Sequence, residues 1–500
     1  MPLSLACVYS VETYVTLDKP IREGASIPFG LATIASVLKD AGHEVQLLVF
    51  TPDTPILATL RSFMQRFRPR LFCLTAVSTQ FSLIRTIAEA IKSLDSTCYV
   101  ALGGAHASLM PEEAIACPFI DAVCVGEGDT AVVELAAQIL AGRQPGNIHN
   151  FWFKHPETGF IEKNNAAPFL QDLDSLPLID RELWRPWIME PSRDPSVLVG
   201  RGCPFRCTYC SNHILGKLAK GPYVRFRSHN HIIKEIEQIT QDPNVTNIYL
   251  EVETVGVNIE YALQLCEALS RFNVGRDIPI KFKINLAVTN NIVRDIELLD
   301  RLFAAFKRAN IGTINIGLES GSERIRNEVL RRPRYSNEDI IKFCMHAKKY
   351  DIRIIIFVMI GLPGESVADF QETYQVVKTC EPYHIWLSIY YPYPGTDLYY
   401  VAKNQKLFSE QDIGNALERR RSYLTLPNFP RWRIMSEYVF FKFRVFKGRQ
   451  SLRQRVFYAI RAAIETNAKL ENLYLNLSRH TKIGQALVTN YRINFHQKAE

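Results

Sequence analysis

Five hundred residues carry 59 Lys and Arg against 51 Asp and Glu, a net charge of +8, with 47% hydrophobic content. The length predicts roughly two to four globular domains, and the charge is too mild for this length to argue for a nucleic-acid binder. Eleven cysteines, odd in number and scattered, exclude a disulfide framework and point to a reducing compartment. The N-terminus lacks a basic region followed by a long apolar core, and no apolar run reaches the roughly 18 residues of a membrane span, so a cytoplasmic protein is expected.

Residues 1–145 alternate strands and helices. Strand-like runs cover 3–9, 44–50, 71–76, 99–103 and 122–125, and helical periodicity covers 31–41, 56–67, 82–94 and 130–141. Such alternation gives a parallel, doubly wound sheet whose ligands sit beyond the carboxyl ends of its strands. Those ends carry Thr75-Ala-Val-Ser-Thr79, Gly103-Gly-Ala-His106 and Gly126-Glu-Gly128. Taken singly they are ordinary turns. His106, after the glycine pair, reads as a polar loop residue.

Residues 146–195 form a Pro-rich linker containing a hairpin, 151–154 and 160–163, turned by Pro156-Glu-Thr-Gly159. Trp152, Trp184 and Trp187 are expected to pack between domains. From 196 to 400 the alternation resumes, with strands at 197–200, 247–251, 280–286, 313–318, 354–360 and 384–390. Helical segments fall at 229–239, 261–272, 292–309, 338–350 and 368–379. Six units of this kind predict a partial (β/α)6 barrel with functional residues at the carboxyl ends of its strands.

After the first of these strands comes Arg201-Gly-Cys-Pro-Phe-Arg-Cys-Thr-Tyr-Cys210, with three thiols spaced C-x-x-x-C-x-x-C. Thiolates suit iron–sulfur clusters and zinc. A structural zinc site wants four ligands, and His213 is the one local substitute for a fourth. Three ligands on a cubane cluster, here Cys203, Cys207 and Cys210, leave one iron open, whereas ferredoxin runs supply four Cys.

This spacing, with Tyr209 before the last Cys, resembles the radical S-adenosylmethionine (SAM) superfamily. The resemblance implies a [4Fe-4S] cluster whose open iron chelates SAM and whose electron cleaves it to a 5′-deoxyadenosyl radical. It extends over roughly residues 25–400. The run Pro28-Phe-Gly-Leu31, Gly103-Gly104 and Gly126-Glu-Gly-Asp129 are similar to the cobalamin-binding domain of one radical SAM class. There Gly103, Gly104, Glu127 and the preceding Ser78 are expected to line the cofactor cavity. The D-x-H-x-x-G box that supplies a lower cobalt ligand in many cobalamin proteins is absent. In the barrel, Glu251-Val-Glu253 stands where the family places a loop near the SAM amino group, with Asp more usual at both positions. Gly317-Leu-Glu319-Ser-Gly-Ser322 resembles the G-x-E-S-G-S element, so Glu319 and Ser320 are expected to meet ribose or the amino acid moiety. Ile360-Gly-Leu-Pro-Gly-Glu365 resembles the adenine-side turn, with Gly361 at its centre.

Residues 401–500 read as helical and basic, with eleven Lys and Arg between 419 and 455 against Glu437 alone. Ile434, Tyr438, Phe441 and Val445 share one helical face. A solvated face on a packed helix is the plain expectation, and a surface for anionic lipid with peripheral membrane contact, for a peptide leader or for another acidic partner is the alternative.

The resemblance implies a cobalamin-dependent methyltransferase acting on an unactivated carbon. Its substrate would be a small molecule, lipid or peptide, and its electron donor a flavodoxin or ferredoxin. The rivals are a radical cyclase or oxidoreductase without methyl transfer, a tRNA methylthiotransferase with a second cluster, and a non-enzymatic iron–sulfur scaffold.

Overall fold

The structure is a computed structural model that describes residues 2–155, 157–413, 418–471 and 473–474. It divides into two compact units. The first comprises the chain to Arg206, Cys210–Ile284 and Pro394–Thr396; the second comprises Cys207–Tyr209, Asn285–Tyr393 and the chain from Asp397.

In the first unit, strands β1 (Ser4–Ser10), β2 (Glu44–Phe50), β3 (Leu71–Thr75), β4 (Tyr99–Gly103) and β5 (Ala122–Cys124) pair in parallel. The hairpin β6 (Phe151–Lys154) and β7 (Ile161–Lys163) adds two antiparallel strands, giving the order β2-β1-β3-β4-β5-β6-β7. Strand side chains alternate between faces. Leu5, Cys7, Leu47 and Leu71 pack on one side with Leu31 and Leu135, while Ala6, Val8, Leu48 and Phe72 pack on the other with Leu60 and Ile84. Both faces are therefore covered by helices, as the sequence predicts.

Three features differ from the sequence expectation. The hairpin is the edge of the first sheet, because Phe151 and Phe153 supply apolar residues to its core, so the segment read as a linker contributes structure to the sheet. Pro156 of its predicted turn lies outside the described residues. Two short helices, Ala105–Leu109 and Pro111–Ala116, follow the glycine pair. His106 is buried there against Phe81, with ring centroids 4.0 Å apart, and is not a polar loop residue. Burial lowers its pKa to about 4.

The first unit also holds the parallel strands β8 (Ser196–Leu198), β9 (Asn247–Glu251) and all but the last residue of β10 (Lys281–Asn285). The second holds β11 (Ile311–Glu319), β12 (Arg353–Ile360) and β13 (His384–Ile389), also parallel. These are the six predicted barrel strands. The helix expected over 292–309 is split into Asn290–Arg294 and Ile296–Arg308, because the Asp295 side chain caps the second piece by accepting from Leu298 N.

Of the C-terminal region, helices Arg431–Val445 and Leu452–Glu465 are described. Ile434, Phe441 and Val445 are buried, as their spacing predicts. Much of the basic stretch is engaged internally. Glu437 is 3% exposed and pairs with Arg433 and Arg444. Arg431, Arg449 and Arg455 donate to the carbonyls of Leu424, Pro382 and Phe443. No helix among the described residues is long and apolar enough to cross a membrane.

Candidate active site

Within the first unit a cavity of about 520 Å³ opens at the carboxyl ends of β3, β4 and β5. It is of the size that cofactors occupy. Phe29, Ile34, Leu102, Val132 and Phe151 give it apolar walls, and Gly103, Gly104, Gly126 and Gly128 give it bare backbone. Gly104 has φ +92°, and a Cβ there would stand 2.5 Å from Thr75 Oγ1 and 2.8 Å from the Ala76 carbonyl. Only glycine fits that turn. Ser78, expected in the wall, is not among the lining residues; its hydroxyl lies 3.4 Å from His106 Nδ1. Thr75 and Ser108 are among the hydroxyl-bearing residues that line it.

The same cavity reaches the end of β9, where Glu251 and Glu253 line it. Burial and, second, the charge of Glu253 push the Glu251 carboxyl up to about 7. The like charge of Glu253 and the burial of Glu251 both disfavour its ionised form.

Glu127, expected to touch a cofactor, is engaged by the protein. Arg225 donates to both of its oxygens, at 2.7 and 2.9 Å, and Leu170 N donates to one of them at 3.3 Å. Burial pushes this carboxyl up, but Arg225 and Arg201 together hold it below the usual carboxylate range. Asp129 accepts from both terminal nitrogens of Arg201, at 2.6 and 3.1 Å. These bidentate pairs tie the Gly126–Asp129 turn to a two-residue ribbon, Gly200–Arg201 with Arg225–Phe226. Gly202 follows with φ +89°, and a Cβ there would meet the Tyr223 carbonyl at 2.1 Å. The ribbon thus fixes the chain one residue before Cys203.

Cys203 and Cys210 are half-buried and Cys207 is buried. His213 Nδ1 lies 2.9 Å from the Cys210 carbonyl, so that nitrogen is placed to hold the loop. Asn212 Nδ2 lies 3.8 Å from Cys210 Sγ. The middle of the loop, in the second unit, is docked on a segment the sequence did not single out. Thr208 N donates to Leu330 O at 3.0 Å, and Thr208 Oγ1 to Val329 O at 2.7 Å. That segment ends a π-helical turn, Ile325–Val329, a feature frequent at functional sites. Two residues further on, the half-buried Arg332 guanidinium places Nη1 3.8 Å from Cys207 Sγ and 3.3 Å from the Tyr209 hydroxyl. Burial pushes the Cys207 thiol up, and Arg332 acts against it.

Glu319 ends β11 with φ +62° and is 9% exposed. Burial raises its pKa, opposed by the charge of Arg332 and a hydrogen bond with Tyr209. Ser320 was expected to meet the ribose or the amino acid moiety. It is fully buried, and its hydroxyl accepts from Ser322 N at 3.2 Å and lies 3.4 Å from Thr373 Oγ1. Gly361 N–H donates to Glu365 at 2.6 Å, which fixes the turn after β12. Burial pushes that carboxyl up to about 8.

The donor set fits a cluster: three soft thiols on one loop, with none of the eleven cysteines in a disulfide. Among the described residues no three Cys, His, Asp or Glu side chains converge on a single ion. A cubane cluster takes one thiolate per iron, so its ligands stand at separate corners. The cavity likewise offers apolar walls and bare glycine backbone to a large, flat cofactor.

A B12 binding domain family matches residues 22–136, and the radical SAM superfamily matches residues 197–377. An uncharacterized methyltransferase of Pyrococcus horikoshii is 25% identical over 385 residues, covering 75% of this chain and 79% of that protein. The anaerobic magnesium-protoporphyrin IX monomethyl ester cyclase of Rubrivivax gelatinosus is 23% identical, covering 74% of this chain and 65% of the cyclase. The cobalamin-dependent SAM radical enzyme OxsB, solved with aqua-cobalamin and SAM bound, shares the fold. Its TM-score is 0.66 at 16% identity, over 98% of this chain and 75% of that one. With both family matches falling on the folds described above, the chain belongs to the radical SAM superfamily, among the members that carry an N-terminal cobalamin-binding domain.

Proposed function

We propose that this protein is a cobalamin-dependent radical SAM methyltransferase acting on an unactivated carbon of a small molecule, lipid or peptide. The observation that carries this reading is the continuous cavity of the first unit. It runs from the glycine turns of the doubly wound sheet to Glu251, Glu253 and the ribbon that leads into Cys203. When bound, the cluster supplies the electron that opens SAM and cobalamin supplies a transferable methyl group.

The chain's own residues do the rest. Cys203, Cys207 and Cys210 hold the cluster. Glu251 and Glu253 take the ammonium of SAM between two carboxylates. Gly103, Gly104, Gly126 and Gly128 let backbone approach the cobalamin tail, with Thr75 and Ser108 as hydroxyl partners. Arg201 and Arg225, fixed by Asp129 and Glu127, orient the cluster loop. The apolar walls keep water from a reactive carbon. Electrons come from an external low-potential donor of flavodoxin or ferredoxin type, and the reducing cytoplasm is the compartment that suits unbridged cysteines.

Likeness to a cyclase supports the second reading, a radical reaction without methyl transfer. Anaerobic reconstitution with hydroxocobalamin separates the two. About one cobalt per chain is expected, and no uptake would leave the second reading standing.

A further inference from the structure

We propose that Arg332 is a positioning residue that sets the reduction potential of the cluster by holding a permanent positive charge against the Cys207 sulfur. The inference rests on the assignment of Cys207 as a cluster ligand.

Three features converge on it. The backbone of Val329 and Leu330 is bonded to Thr208, beside Cys207, so the Arg332 segment and the Cys207–Tyr209 stretch keep a fixed relation. The guanidinium is then aimed by three contacts: Nη1 toward Cys207 Sγ at 3.8 Å, Nη1 toward the Tyr209 hydroxyl at 3.3 Å, and Nη2 to the Gly317 carbonyl. Finally, the strand leaves room for it. A Cβ on Gly317 would stand 2.8 Å from Arg332 Nη2, so a larger residue there would displace the fork.

The buried Arg332 Nε makes no hydrogen bond, so this is not a guanidinium saturated by structural partners. Burying such a charge is costly unless negative charge stands beside it. Tyr209, Tyr335, Glu319 and Cys207 surround it and favour its charged form, and Cys207 as a cluster ligand would be a thiolate. Cluster potentials follow net charge and hydrogen bonds to the sulfurs. One-electron reduction adds a negative charge to the cluster while the external low-potential donor is oxidised. A fixed cation at one ligating sulfur favours the reduced form. Arginine suits the task because it stays charged when buried.

The test is a dithionite titration of anaerobically reconstituted protein, monitored by the EPR signal of the reduced cluster, with iron and sulfide counted first. Arg332→Gln should disfavour reduction tenfold or more, a drop of about 59 mV for one electron. Arg332→Lys, which keeps the charge, should stay nearer the wild type than Gln does. A wild-type potential in Arg332→Gln, or equal displacement in Gln and Lys, would overturn the inference and leave a packing role. Wild-type protein that binds no cluster would instead sink the cluster assignment itself.

Discussion

Replacing Asp129 with Asn tests whether the Gly126–Asp129 turn holds the ribbon in front of Cys203. Asp129 is 6% exposed and accepts from Arg201 at 2.6 and 3.1 Å. Two unit charges about 4 Å apart attract by about 4 kcal/mol at an effective dielectric near 20. Breaking a buried pair costs about 3–5 kcal/mol. Arg201 keeps a second carboxylate, Glu127 at 3.5 Å, which offsets part of that loss. The expected destabilisation is about 2–3 kcal/mol. Urea unfolding of Asp129→Asn, Arg201→Met and the double variant, followed by fluorescence and circular dichroism, gives the cycle. A coupling energy of about 2 kcal/mol is expected, because the second change removes the orphaned charge. Single variants within about 0.5 kcal/mol of wild type, with additive effects, would show that the pair fixes nothing.

Other consequences follow from the same geometry. Gly104→Val drives side-chain atoms into Thr75 and the Ala76 backbone, so cobalamin affinity should fall at least tenfold, about 1.4 kcal/mol, while cluster content is unchanged. Unaltered affinity by equilibrium dialysis would remove the cavity as the cofactor's cradle. Glu251 titrates near 7 against an ordinary 4.5, its charge disfavoured by burial and by Glu253. Its contribution to stability is therefore full below about 4.5 and is lost as pH rises to about 7. The ionised form that accumulates is the one that binds an ammonium, so SAM affinity should tighten between pH 6 and pH 8. Glu251→Gln should flatten both trends, and a pH-independent dissociation constant in the wild type would contradict the pairing.

Most of the fold was legible because its strands are buried on both faces and its helices carry long apolar stripes. The periods at 44–50, 56–67 and 247–251 match the observed elements residue for residue. Ala105–Leu109 and Pro111–Ala116 were not legible: each is under two turns, and the glycine pair and Pro111 read as turns. For Cys203, Cys207 and Cys210 the expectation comes from spacing along the chain. Partners far apart along the chain are not legible in this way. Glu127 was expected to line the cofactor cavity, and the sequence did not show that Arg225, 98 residues on, donates to both its oxygens. Ser320 looked like a ribose contact, but helix Val367–Cys380 carries Thr373 against it. Arg332 stands 125 residues from Cys207 in a run of arginines, where nothing marks one as turned toward that sulfur.

The account stands most directly on SAM cleavage by the thiolate-held cluster. Anaerobically reconstituted protein, reduced with dithionite and given SAM, should release 5′-deoxyadenosine detectable by mass spectrometry, and Cys207→Ala should release none. Equal release from both proteins, or none from a wild type with about four irons per chain, would contradict it.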